Sequence, residues 1–176
     1  MLHPKIQSVD RLVVILDSER QAGKRIVFSN GCFDLLHVGH VRYLEQARQL
    51  GDLLIVGLNS DRSVRCLEKG ASRPIIPEDE RAEVLAALSC VDYVTIFHEP
   101  DPLVIIKKIL PDTLVKGGDW SPDQMIGREV VENLGGSVVS LPLVPHISTT
   151  AIIERILKRS VSPADEIAAS SPSRPS

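Results

Sequence analysis

The sequence has few aromatic residues, no long apolar run and no excess of basic charge. Phe, Trp and Tyr make up only 3% of the 176 residues while hydrophobic residues make up 43%, so the core must be largely aliphatic. No apolar stretch reaches the length of a membrane span, and the first residues lack the apolar segment of a signal peptide. The net charge of −3 gives no support for a nucleic-acid surface. We therefore expect neither a membrane nor a nucleic acid among the partners.

Cysteine is also scarce. The three cysteines are odd in number and lie in or beside apolar segments. This usage is typical of reduced thiols and not of a disulfide framework. With no signal peptide in the sequence, it predicts a soluble protein of the cytoplasm.

Short apolar runs alternate with amphipathic stretches at helical spacing along most of the chain. Between Asp52 and Asn59 the residues Leu53 to Leu58 are continuously apolar, as expected for a strand that is covered on both faces. Five such alternations predict an α/β fold, a Rossmann-like doubly wound sheet of about five parallel strands with helices on both faces. Residues 1–24 are predicted to be a helical segment that packs on this domain, residues 25–159 the domain itself, and residues 160–176 a disordered tail.

Twelve residues, Ser29 to His40, join the first strand to a helix predicted at Val41–Leu50. Gly31 leaves room for a ligand against the main chain, and a helix start offers unpaired N–H groups and a partial positive charge. His37 and His40 are three residues apart, so both lie on one face of the first turn and can donate to phosphate oxygens. The stretch predicts a phosphate site. The structural alternative is that one histidine caps the helix. A zinc site is less consistent with the sequence, because no Cys or acidic group stands nearby at a ligand spacing.

Three further segments carry candidate polar groups. A polar loop is predicted at Arg65–Pro77, and basic residues there suit the neutralisation of phosphate charge. A strand ends in Lys116-Gly117-Gly118-Asp119, where glycines permit close approach of a base. Ser148-Thr149-Thr150 precedes a helix predicted at Ala151–Lys158, where one hydroxyl suffices as a cap and the other two are available to a phosphate. The structural alternatives are a solvated surface for the loop, a tight turn for the glycines and a simple cap for the hydroxyls.

The pattern Gly31-x-Phe33-Asp34-x-x-His37-x-Gly39-His40 resembles the signature of the HxGH nucleotidyltransferases, the cytidylyltransferase-like family. These enzymes join a nucleoside monophosphate unit to a phosphorylated acceptor and release pyrophosphate. The resemblance runs from about Arg25 to Lys158. A nearer likeness is to the stand-alone form of the adenylyltransferase domain of the bacterial heptose-1-phosphate pathway. It rests on Asn30-Gly31-Cys32-Phe33-Asp34, Asn59-Ser60-Asp61, Arg73-Pro74-Ile75-Ile76-Pro77 and Leu114-Val115-Lys116-Gly117-Gly118-Asp119.

The resemblance implies roles for individual residues. The catalytic residues would be His37, His40 and Lys69. Nucleotide contacts would come from Asn30, Gly31, Cys32, Phe33, His37, His40, Lys116, Gly117, Gly118, Asp119, Ser148, Thr149 and Thr150. Substrate contacts would come from Asp34, Asn59, Asp61, Lys69, Arg73 and Arg81. The residues themselves leave a second role open for Asp34, a structural bond within its turn.

The implied reaction joins ATP and D-glycero-β-D-manno-heptose 1-phosphate to give ADP-heptose and pyrophosphate, for lipopolysaccharide core or other surface polysaccharides. A Mg²⁺ ion held mainly by the ATP phosphates is expected, and so is a homodimer or higher homo-oligomer. One alternative is a cytidylyltransferase acting on glycerol 3-phosphate or another polyol or sugar phosphate. The Ser89-Cys90 and Leu143-Val144-Pro145-His146 segments depart from that pattern. A second alternative is a nucleotide-binding sensor without turnover. A redox dinucleotide module is disfavoured because Gly31 is not followed by the Gly-x-x-Gly of its fingerprint.

Overall fold

The structure is a computed structural model that describes residues 3–67, 73–118, 121–142, 144–145 and 147–160. The predicted site residues Lys69 and Asp119 lie outside these ranges, and so does the predicted tail except for its first residue, Ser160, which ends a helix. The elements, in chain order, are α1 Val9–Gln21, β1 Ile26–Gly31, α2 Val38–Arg48, β2 Leu53–Asn59, α3 Asp61–Arg65, α4 Glu78–Ala86, β3 Tyr93–Phe97, α5 Leu103–Ile109, β4 Thr113–Gly117, a 3-10 turn Pro122–Gln124, α6 Arg128–Glu132, β5 Ser137–Leu141 and α7 Thr149–Ser160.

Within the described residues the five strands form one parallel sheet in the order β3-β2-β1-β4-β5. The chain builds outward from β1 to β2 and β3, then crosses to β4 and β5 on the other side. The strand order therefore reverses between β1 and β4, and ligands of open α/β sheets bind outside the carboxyl ends of strands at such a switch point. The predicted fold class is confirmed, and helix α2 begins beside this crevice.

Two apolar layers sandwich the sheet, because successive strand residues face opposite sides. On one side α2 and α4 pack against β1 and β2, with Leu44 and Leu85 fully or almost fully buried. On the other side α1 and α5 cover the alternate residues, including Phe28 and Ile106. The core is aliphatic apart from a few rings, as the composition predicts. None of the helices in the described ranges is long and apolar enough to cross a membrane.

A short segment ahead of α1 runs along the outer edge of β3. Ile6 bridges Val94 in parallel, with the Gln7 amide donating to the Val94 carbonyl and the Val94 amide to the Lys5 carbonyl, both at 2.9 Å. The Lys5 ammonium also donates to the carbonyls of Leu88 and Val91, at 3.0 and 2.7 Å, where the chain leaves α4. These contacts join the first residues to the sheet.

Some element boundaries differ from those predicted. Helix α2 begins at Val38 rather than Val41, because His37 serves as its N-cap. The polar cluster after β2, predicted without an element, contains the short helix α3, which Ser60 caps by accepting from the Ser63 amide at 3.2 Å. Helix α7 starts at Thr149 and ends at Ser160, two residues beyond the prediction at each end. Helix α3 was not predicted because its five residues are too few to show helical periodicity in the sequence.

Candidate active site

The two histidines lie together at the start of α2. Their rings are stacked, with centroids 3.8 Å apart and planes inclined by 15°. The His37 Nδ1 accepts from the His40 amide at 3.4 Å, a long bond that caps the helix. Gly39 lies between them, and a Cβ added there would lie 3.0 Å from the His37 ring, close enough to press on it. Capping and phosphate binding are therefore compatible, since the cap uses one ring nitrogen only.

The capping bond indicates which tautomer His37 adopts. A nitrogen that accepts a hydrogen bond carries no proton, so in the neutral ring the proton sits on Nε2, which is then a donor. Burial lowers the pKa of His37 below its ordinary value, which favours this neutral form near pH 7. His37 is thus suited to hydrogen-bond a phosphate through its neutral ring.

The Phe33 ring packs against the histidine turn. It meets His40 edge to face, with centroids 5.2 Å apart. An added Cβ at Gly31 would lie 3.0 Å from the Phe33 ring, so the space beside this glycine is occupied by the chain's own side chain. The sequence predicts that Gly31 leaves room for a ligand there. The structure gives the space on the Cβ side of Gly31 to Phe33, and the ligand contact of Gly31 stays a prediction.

The Asp34 carboxylate connects this turn to the segment before α4. It accepts from the amides of Ile75 and Ile76 at 3.0 Å each and from the Arg73 guanidinium at 2.5 Å. The carboxylate is fully buried and Arg73 is 11% exposed. Burial raises the pKa of Asp34, but the two amides and Arg73 outweigh it, so its pKa lies below the ordinary value. These contacts favour the structural role over the implied substrate contact for Asp34, and they engage the Nε of Arg73 as well.

Helix α7 is attached to the same turn. The Thr149 hydroxyl donates to the Asp34 carbonyl at 2.7 Å and is buried, although the two residues are 115 apart in sequence. Ser148 caps the helix by accepting from the Ala151 amide at 3.1 Å. Of the three hydroxyls in the predicted phosphate-binding cap, one caps, one anchors the helix, and that of the exposed Thr150 lies at the surface.

Arg81 of α4 binds the backbone at three places near the carboxyl edge of the sheet. Its guanidinium donates to the carbonyls of Cys32, Asn59 and Ile76 at 2.6–2.9 Å, and to the Asp61 carboxylate at 2.6 Å. Only 2% of the residue is exposed. The resemblance implies that Arg81 contacts substrate. The structure instead engages its donors with the protein, which favours a supporting role.

Two strand ends complete the site. Asn30 at the end of β1 and Lys116 at the end of β4 are partly exposed and follow the paired residues Ser29 and Val115. The Asn30 Oδ1 is buried, and no described residue hydrogen-bonds to it. Gly118 has φ of +115°, a conformation that favours glycine. The structure thus brings the β1 end, the β4 end and the histidine turn to one edge.

The remaining predicted residues lie at the same edge with protein partners or outside the described ranges. The side-chain Nδ2 of Asn59 donates to the Ser63 hydroxyl at 2.9 Å. Gly117 ends β4, whereas Lys69 and Asp119 are not described. Sequence reasoning missed the amides of Ile75 and Ile76, because a backbone donor leaves no signal in residue type. It also missed Tyr43, whose buried hydroxyl is a polar group within an apolar helical stripe.

Comparisons with known proteins agree with this fold. A family model described as cytidylyltransferase-like matches residues 28–155. The bifunctional protein HldE of Syntrophotalea carbinolica is 58% identical over 155 residues, which cover 88% of this chain and 31% of that protein. HldE of Geobacter sulfurreducens is 56% identical over 154 residues, with the same coverage. The chain therefore spans about a third of the length of these relatives. The crystal structure of the lipopolysaccharide core biosynthesis protein from Thermoplasma volcanium superposes with a TM-score of 0.57 at 29% identity, covering 71% of this chain and 100% of that one.

Proposed function

The chain belongs to the cytidylyltransferase-like family of nucleotidyltransferases, and we propose that it transfers AMP from ATP to D-glycero-β-D-manno-heptose 1-phosphate. The products would be ADP-heptose and pyrophosphate. The observation that carries the proposal is the stacked His37–His40 pair at the start of α2, beside the switch point of the sheet. The motif resemblance described above and a structural neighbour named for lipopolysaccharide core biosynthesis support the choice of acceptor and a place in surface-polysaccharide supply.

The proposed reaction is an in-line displacement at phosphorus. An oxygen of the sugar phosphate forms a bond to the α-phosphorus of ATP, and the bond from that phosphorus to the bridging oxygen of the leaving pyrophosphate breaks. A phosphate is already anionic at neutral pH, so the nucleophile needs no general base, and positioning and charge stabilisation carry the rate. The Nε2–H of His37 suits this task because it donates a hydrogen bond without first gaining a proton. Lys69 and Lys116 would neutralise further charge.

We retain Mg²⁺ as part of the proposal. Among the described residues, no three His, Cys, Asp or Glu side chains gather as a set of metal ligands. The carboxylate of Asp34 is occupied by its own chain, and that of Asp61 pairs with Arg81. Triphosphate oxygens and water would therefore hold the ion, a coordination that Mg²⁺ favours, and its charge would stabilise the leaving pyrophosphate.

The test is pyrophosphate release from ATP and from CTP with a panel of acceptors: both anomers of heptose 1-phosphate and glycerol 3-phosphate. We expect turnover with ATP and the β-anomer. Turnover with CTP and glycerol 3-phosphate would identify a cytidylyltransferase instead. Nucleotide binding with no release from any pair would indicate a sensor. The cytoplasmic location and the homodimer stay predictions, and sedimentation of the purified protein tests the second.

A further inference from the structure

Tyr43 lies on α2 one turn after His40 and faces the sheet. The residue is only 6% exposed. Residues three apart share a helix face, so Tyr43 lies on the same face of α2 as His40. From there its side chain reaches strands β1 and β4. The proposed mechanism assigns it no role, and neither does the signature motif, which ends at His40.

The Tyr43 hydroxyl makes two hydrogen bonds, and their directions can be assigned. It lies 3.1 Å from the Val115 carbonyl, which can only accept, so the single phenolic proton is directed there. It also lies 2.7 Å from the Ser29 hydroxyl, which must then be the donor in that bond. The result is a directed chain from Ser29 on β1, through α2, to Val115 on β4.

This chain spans the switch point of the sheet. Ser29 and Val115 are register partners on β1 and β4, the two strands between which the strand order reverses. The next residues along these strands are Asn30 and Lys116, which approach the site at the carboxyl edge. Tyr43 is thus bound to both walls of the crevice one residue below its opening, on the same helix that carries the histidines.

We propose that Tyr43 is a positioning residue, whose hydroxyl fixes the histidine turn of α2 relative to the Asn30 and Lys116 strand ends. The inference rests on the proposed function for its effect on catalysis, but the positioning itself is a property of the fold. Burial also raises the pKa of Tyr43 to about 12, so the phenol keeps its proton and the bond to Val115 persists at all working pH values.

Tyr43→Phe removes the hydroxyl and keeps the ring. Without the hydroxyl the histidine turn can shift relative to the strand ends, which lowers the rate of the chemical step more than the affinity for substrate. We therefore expect kcat for pyrophosphate release to fall about tenfold, while KM for ATP changes less than about twofold. Tyr93→Phe, at the start of β3 and remote from the site, is the matched control and should keep wild-type kinetics. A Tyr43→Phe enzyme with wild-type kcat would overturn the proposal.

Amide hydrogen exchange supplies a readout that does not need turnover. Tyr43→Phe should speed exchange in the first turn of α2 and at Lys116–Gly118, whereas Tyr93→Phe should leave both unchanged. Ser29→Ala removes only the bond donated to Tyr43 and should speed the same amides to a lesser degree. It serves as the test if Tyr43→Phe does not fold. Unchanged exchange in the folded variants would refute the positioning role. If the wild type releases no pyrophosphate from any pair, the proposed function fails, while the exchange result still decides the role of Tyr43.

Discussion

Replacing Asp34 with Asn should destabilise the protein and loosen the active site together. The carboxylate accepts three hydrogen bonds, from two backbone amides and a guanidinium, and is fully buried. Asn keeps one acceptor oxygen and turns an NH₂ donor towards other donors. Hydrogen bonds to a charged group contribute about 1.5–3 kcal/mol each, and breaking a buried ion pair costs about 3–5 kcal/mol. We expect a loss of about 3 kcal/mol in the free energy of unfolding, measured by urea denaturation.

Asp92→Asn is the matched control. Asp92 also accepts from a backbone amide, that of Leu54 at 2.7 Å, and from an arginine, Arg48 at 2.9 Å, but it is 26% exposed and precedes β3 at the opposite edge of the sheet. We expect it to cost about 1 kcal/mol and to leave kcat unchanged. Asp34→Asn should in addition lower kcat, because it releases the segment that holds Arg73. A loss no greater than that of Asp92→Asn, with normal kcat, would refute the role assigned to Asp34.

The pH dependence gives an independent check. The folded pKa of Asp34 lies below its ordinary value of 3.8, so the unfolded chain takes up the proton first as the pH falls. Its stabilising contribution is therefore complete well above pH 3.8 and is lost as the pH falls through the lower folded pKa. The difference in unfolding free energy between wild type and Asp34→Asn should shrink over that acidic range. A constant difference would contradict the ion-pair explanation.

Three further changes test other parts of the site. His40→Ala should abolish pyrophosphate release with the fold intact by circular dichroism, whereas substitution of the exposed His98 should not; retained turnover would remove His40 from the catalytic role. Arg81→Lys loses the planar guanidinium that reaches three carbonyls and a carboxylate, and we expect urea denaturation to show a free energy of unfolding lower by about 2–3 kcal/mol. A variant as stable as wild type would argue against the supporting role of Arg81. Gly57→Ala would set a Cβ 2.6 Å from the Phe28 ring and should cost about 1–3 kcal/mol by overpacking, which the same measurement checks.

The sheet could be predicted from the sequence because its signals are local. Strand β2, buried along its whole length, is an almost continuous apolar run, and α1 repeats apolar residues at the helical period. The histidine turn is equally local, since three residues separate His37 from His40. The sequence offers a histidine cap as one alternative, but it does not decide for that cap, because histidine is not among the strongly preferred N-cap residues.

The supporting bonds of the site could not be predicted in this way. Thr149 reaches the Asp34 carbonyl across 115 residues, and Arg81 reaches the Cys32 carbonyl across 49. Which distant backbone oxygen meets a given donor depends on how the loops fold at the sheet edge, and a carbonyl has the same chemistry in every residue. For this reason the resemblance places Asp34 and Arg81 in the site, whereas the sequence does not identify their partners.

The segment ahead of α1 has a consequence for how copies of the protein meet. Unpaired strand edges attract strands of other molecules, and proteins commonly cover them. Here Lys5, Ile6 and Gln7 run along the outer edge of β3 and occupy the amide and carbonyl of Val94. Deleting residues 1–7 would leave that edge bare without removing any strand. Copies of the truncated protein should then associate through β3, while the catalytic edge of the sheet keeps its structure.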